Sequence, residues 1–189
     1  MKHHFKILAI TLVLLAGGLL SYALVKNSYF PVAKINGDYI SYRAVKENAE
    51  VTRRLYTQGM VGSNPDLDLF FSRSNGADLI KSSLESLITN GIIKSSVSAD
   101  VLKQAQAEID KNFKNSNMAS LAGSINTIYG WKIDKFRERI LEPQALFQVL
   151  SEIKGKDFEN WLSEAKNKSS VKIWFLPFEW QEGELVDSH

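Results

Sequence analysis

The chain has 189 residues and a formal net charge of +2, enough length for one domain with a core of its own. Lys2 and Lys6 supply the charge excess; from Lys26 onward 21 basic residues stand against 21 acidic ones, which argues against the basic footprint that non-specific nucleic-acid binding needs. Cysteine is absent, which removes disulfides, thiolate nucleophiles and Cys-based zinc sites. The three histidines are His3, His4 and His189, so the body has no imidazole for metal or acid–base chemistry.

Ile7 to Val25, "ILAITLVLLAGGLLSYALV", is a run of 19 residues without a charge. At about 1.5 Å per residue it nearly matches a hydrocarbon core of about 30 Å. Lys2 and Lys6 precede it, which orients the N-terminus to the cytoplasm. The sequence therefore predicts a cytoplasmic stub and a transmembrane signal anchor within residues 1–27. A cleaved signal peptide is the alternative: Ser21-Tyr22-Ala23 is a small-x-small sequence, although the apolar part of such a peptide usually runs about 7–15 residues. Either way the body is expected outside the cytoplasm, on the periplasmic or cell-surface side of a cell membrane.

Val32, Ala33 and Ile35 form the first expected strand, Asn36-Gly37 a type I′ turn, and Tyr39-Ile40 the return strand, because both central residues of such a turn take positive φ. Ser41 is placed to cap a helix from about Tyr42 to Thr57. Gly59 to Gly76 is irregular; its "DLDLFF" is either a short helical turn or a lid. A helix from Ala77 to Ile93 follows, with Ile80, Leu84, Leu87 and Ile88 on one stripe, interrupted near its end by Gly91. Ser98 caps another, buried along Val101, Ala105, Ile109 and Phe113. A fourth carries Met118, Leu121, Ile125 and Ile128 and ends at Gly130, which suits the left-handed position after a helix.

The pattern from Trp131 to Ile153 is again helical, and Pro143 must kink it or start a new helix. Gly155 breaks the run. Asp157 to Lys166 is a short amphipathic helix with Phe158, Trp161 and Leu162, and Val171 to Phe175 alternates as a strand. The fold class is thus mainly α, with a small N-terminal β-hairpin joined by a C-terminal strand and preceded by one transmembrane helix. A hairpin alone is marginal in water, so the last strand gives it a third partner. The domain is expected over 28–180, with a polar tail over 181–189.

This order of elements resembles the SurA/PrsA-type chaperones and foldases. "VAKINGDYISYRAVKENAEV" is similar to their opening, "LIKSSLESLITNGIIKSSVSADVLKQAQAEIDKNF" to their next helical block, "IYGWKIDKFRERI" to their Gly-x-x-x-x-x-Phe-Arg-x-x-Ile segment, and "FENWLSEAKNKSSVKIWF" to their closing helix and strand. The resemblance covers about 32 to 175 and implies a SurA N-terminal-like chaperone domain. Members often insert a parvulin-type prolyl isomerase before the closing helix; here Asp157 follows Ile153 within four residues, and the histidine pair of a parvulin site has no counterpart.

The expected function is that of a membrane-anchored, non-enzymatic chaperone for unfolded or newly exported polypeptides, without isomerase activity and without a cofactor or metal. Promiscuous contact suits flexible and aromatic side chains, which singles out Met60, Leu69, Phe70 and Phe71 in the irregular segment and Trp174, Phe178 and Trp180 near the C-terminus. Packing over the core is the plain alternative for each. Expected partners are such polypeptides, the membrane through residues 7–25 and, for a dimer, a second copy of the chain; nucleic acid is not among them. The alternative function is an anchored scaffold or assembly protein with one dedicated partner. An enzyme ranks third: Asp66 with Asp68, or Glu138 with Glu142, are pairs to pose for acid–base work, but solvated charge is the favoured reading because no nucleophile or metal cluster accompanies them.

Overall fold

The computed structural model describes Lys26, residues 28–60, 76–114 and 117–188. The apolar run 7–25 lies outside the described residues, and among those described no helix is long and apolar enough to cross a membrane. The fold is mainly helical with small antiparallel strands. Strands β1 (Pro31–Ile35) and β2 (Asp38–Ser41) form the hairpin, followed by helices α1 (Tyr42–Met60), α2 (Ala77–Ser96), α3 (Ala99–Lys114) and α4 (Met118–Tyr129). A continuous helical rod then comprises α5 (Ile133–Phe136), a π-helical turn over Arg137–Leu141, and α6 (Glu142–Lys154); α7 (Phe158–Lys168), β3 (Val171–Ile173), β4 (Phe178–Gln181) and β5 (Glu184–Asp187) complete the chain.

The hairpin turns as its residues dictate. Asn36 has φ 48° and Gly37 φ 116°, both in the region that Asn and Gly tolerate best. Strand β1 is central: β2 pairs on one edge and β3 on the other, both antiparallel, with Ala33 opposite Ile40 and Ile173. The Trp174 amide donates to the Val32 carbonyl at 2.8 Å and the Asn36 amide to the Ser170 carbonyl at 3.0 Å. The Asn36 side chain extends this pairing. Its Oδ1 accepts from the Ser170 amide at 3.0 Å, while its Nδ2 donates to Ser95 Oγ at 2.8 Å and Ser169 Oγ at 3.3 Å. One turn residue thereby links the end of α2 to the junction of α7 and β3.

Helix α1 starts as the sequence predicts. Ser41 Oγ accepts from the Ala44 amide at 3.2 Å, and the Tyr42 and Arg43 amides donate back to the carbonyls of Phe30 and Ser28, so donors left open by the first turn find partners. Helix α2 is the central support, apolar on two sides. Leu84, Ile88 and Ile92 join Val32, Ala33, Ile35 and Val45 in the first core cluster. Ile93 belongs to a second one with Ala105, Leu146, Val149, Leu150 and Phe158 from α3, α6 and α7. A third, of Val51, Ile125 and Trp131, seats α4 against α1.

Gly91 is not an interruption of α2 but the place where β1 approaches it. A Cβ at Gly91 would stand 2.7 Å from Ile35 Cδ1, closer than packed carbons allow, and Ile35 itself is only 2% exposed. Pro143 stands in the first turn of α6 and so begins an α-helical stretch, one of the two roles the sequence allows, without breaking the rod. The helix widens into the π turn just upstream, where the Glu142 amide reaches the Arg137 carbonyl five residues back; a proline ring crowds the carbonyl four residues before it, and a wider turn relieves that contact.

The C-terminus corrects the sequence-based expectation. Residues 181–187 are not part of a polar tail: β4 and β5 pair as a second hairpin, from Phe178 opposite Asp187 to Gln181 opposite Glu184. Its turn, Glu182 at φ 50° and Gly183 at φ 82°, has the two positive φ values of a tight hairpin. Phe178 and Leu185 project into the first core cluster. Lys81 of α2 reaches across to Asp187 at 2.9 Å.

Two stability outcomes follow from these contacts. Leu185→Ala should destabilise the chain by about 2–5 kcal/mol, as for a buried leucine, measured by urea unfolding; a change within about 0.5 kcal/mol, the size typical of surface sites, would return 181–188 to the status of a tail. Gly91→Val should lower stability by about 1–3 kcal/mol through overpacking against Ile35. Combined with Ile35→Ala, its cost should shrink, giving non-additivity in a double-mutant cycle; strict additivity would place the two side chains out of contact.

Candidate functional site

Among the described residues an open cleft lies between α1 and the segment running from the end of α4 through the π turn. It consists of recesses of about 580 Å³ and about 630 Å³ that share Arg43, Glu47, Gly130, Trp131 and Lys135. A third of about 350 Å³ adjoins through Tyr29, Ser41, Ala44 and Arg139 and reaches Tyr39 on β2.

Local sequence builds the far wall. Asn117 Oδ1 accepts from the Ser120 amide at 3.2 Å and so caps α4. At its other end Gly130 takes φ 67° while its amide bonds the Asn126 carbonyl. The helix ends there, as the sequence predicts, and Tyr129 and Trp131 fall on the same cluster, with ring centroids 5.9 Å apart. Phe136 packs on Tyr129 at 4.8 Å. Trp131 is 7% exposed and sits on Val51 of α1, so the floor is apolar.

The walls are charged and paired. Glu47 accepts from Arg43 Nε at 2.9 Å and from Lys135 Nζ at 2.7 Å, tying α1 to α5. Burial opposes charge on Glu47, yet the hydrogen bonds from Lys135 and then Arg43 hold its carboxyl below the ordinary value of 4.5. The hydrogen bonds of Arg53, with those of Arg54 at 3.0 Å, bring the Glu50 carboxyl from 4.5 to about 2. Neither carboxylate is set up to hold a proton near neutrality. Arg43 also bonds the Tyr29 hydroxyl and lies over its ring, and Lys135 Nζ lies 5.2 Å from the centre of the Trp131 ring. Seven basic side chains line the three recesses, against four acidic ones, so the cleft is locally cationic on a body that is neutral in sum. Among the described residues no three His, Cys, Asp or Glu side chains group as a metal ion would require. The arrangement sets aromatic side chains beside fixed cations, which can meet apolar and acidic groups respectively.

The side chains singled out from the sequence lie elsewhere. Phe178 is 7% exposed and belongs to the first core cluster, where the long-range packing of the second hairpin buries it. Trp180 packs against the same cluster from its rim. Trp174 is half-buried and stacks on Tyr39 with centroids 6.4 Å apart. The side chain of Met60, at the end of α1, and Leu69, Phe70, Phe71, Asp66 and Asp68 lie outside the described residues. Glu138 and Glu142 do not converge: the first pairs with Arg139 at 3.4 Å and the second with Lys94 at 3.5 Å. The cleft residues Tyr29, Arg43, Tyr129 and Trp131 escape sequence-based selection, although the "YGW" around the helix stop at Gly130 was the available signal. No protein-family model, no curated protein and no solved structure matches the chain.

The depressed carboxyls predict an acid-linked loss of stability. A carboxylate whose folded pKa lies below its unfolded value stabilises fully above the unfolded value and loses that contribution as pH falls. For Glu50 the window runs from 4.5 down to about 2. Because the pair is near solvent, the effect is modest and salt-sensitive. Melting temperature measured from pH 5 to pH 2.5 should fall less steeply for Glu50→Gln than for the parent chain; parallel curves would deny Glu50 this role.

Proposed function

We propose that the protein is a membrane-anchored, extracytoplasmic binding protein that holds unfolded or newly exported polypeptides, and that the cleft along α1 receives them. The observation that carries this reading is the open cleft itself, with an apolar floor of Val51 and Trp131 and walls on which Glu47 and Glu50 are held by basic neighbours while basic side chains remain in excess. Such a surface suits extended chains of varied sequence because an apolar floor lies beside basic side chains that can meet carbonyl and acidic groups of a client. The resemblance of the segment 32–175 to the SurA/PrsA-type chaperones supports the same reading. So does the uncharged run 7–25 behind Lys2 and Lys6, which would keep the body at the outer surface of a cell membrane.

A photoreactive phenylalanine analogue at Lys132, on the exposed rim of the cleft, tests the proposal in the intact chain in cells. The expected result is crosslinking to many exported polypeptides, with little at Gln104 on α3. A single stoichiometric adduct would favour the dedicated-scaffold alternative, and no adduct at Lys132 would overturn the cleft as the binding site.

A further inference from the structure

The outward face of the three-stranded sheet has its own chemistry. The rows through Ala33 and Ile35 point into the core, with Ile40, Ile173 and Val171 as partners. The row between them, Tyr39–Lys34–Lys172, runs across all three strands on the opposite face. Tyr39 is 64% exposed, stacks on Trp174, and carries Lys34 Nζ at 5.0 Å from its ring centre. Beyond Trp174, Phe175 is 82% exposed, with Phe30 edge-on at 6.0 Å. Its φ is 60°, a conformation that a bulky residue adopts only under strain. A strained, solvent-facing phenylalanine gains nothing from the core and points to an external partner.

The chain's own course names that partner. Strand β1 begins at Pro31, six residues after the apolar run ends at Val25. Six residues reach at most about 21 Å when fully extended, and the headgroup layer on one side of a bilayer is about 5–8 Å thick. An anchored chain therefore holds this sheet beside the membrane surface. Exposed Tyr39 and Phe175, with half-buried Trp174 between them and lysines beside them, are side chains of the kind that partition to that interface, rings at headgroup level and ammonium groups toward anionic lipid.

We infer that the Tyr39–Lys34–Lys172 face and the Trp174–Phe175 corner form a lipid-contact surface that seats the body on the bilayer, leaving the α1 cleft to clients. The inference rests on the anchored reading above, and one experiment separates the two. Lys172→Cys and, as reference, Gln104→Cys give single thiols in a chain that has none. Each is labelled with a nitroxide in the full chain reconstituted into phosphatidylethanolamine–phosphatidylglycerol vesicles, and accessibility to oxygen and to a water-soluble nickel chelate is measured. The label at 172 should be several-fold less accessible to nickel than that at 104. Phe175→Gly, which keeps the positive φ without strain, should abolish much of the difference. Carbonate extraction of the same vesicles reports on the anchor. A retained chain with equal nickel accessibility at both positions overturns the lipid face and leaves the anchor standing. A released chain that fails to float with fresh vesicles overturns both; one that floats, but not as Phe175→Gly, supports the face alone. Shielding of position 172 only on addition of an unfolded polypeptide would make this face a client site and also overturn the inference.

Discussion

Everything in this fold hangs on the pairing of one short strand along both of its edges. Strand β1 meets β2 across a two-residue turn and β3 across most of the chain. Asn36 secures both at once, because its backbone supplies the positive φ of the turn and its amide group reaches Ser95, Ser169 and Ser170. Each of these bonds is near solvent, and such a bond contributes only about 0.5–1.5 kcal/mol net. Their value lies in position: they converge where α2, α7 and β3 meet the hairpin, so a local turn preference becomes a tertiary constraint.

The remaining architecture follows from that clasp. With β1 fixed, Ile35 lies against Gly91 and locks the sheet to α2. Helix α2 then offers one side to the sheet and the second hairpin and another to α3, α6 and α7. Helix α1 leaves directly from β2 at the Ser41 cap, so the hairpin also sets its direction, and with it the near wall of the cleft. The Glu47 bridge to Lys135 fastens the far wall. The cleft thus lies over the third core cluster, of Val51, Ile125 and Trp131, while α2 carries the first two.

Much of this is legible in the residues because it is local. The Asn-Gly turn, the Ser41 cap, the apolar stripes of the helices and the stop at Gly130 each depend on side chains within about one or two turns of one another. What escapes is what depends on distance. The second hairpin is hidden because "FEWQEGELVD" reads as charged and polar, although its alternation places Phe178 and Leu185 on one side once α2 is there to receive them. Gly91 reads as a helix defect until Ile35 is brought to it. The cationic cleft is invisible to composition, since the body is neutral as a whole and only folding gathers Arg43, Arg54, Lys135 and Arg139 around one opening. Phe178 is an attractive exposed aromatic in the sequence for the same reason: burial of a C-terminal residue against a helix near position 81 leaves no mark in its neighbours.

The claim that the ends of the body form one cooperative unit through β1 is tested most directly by native-state hydrogen exchange at single-residue resolution. The amides of Asn36 and Trp174, which bond across to Ser170 and Val32, are compared with that of Ile88 inside α2. All three should open together, with one exchange free energy and one denaturant dependence equal to those of global unfolding. Exchange of Asn36 and Trp174 at the rate of fraying termini, while Ile88 stays protected, would contradict it.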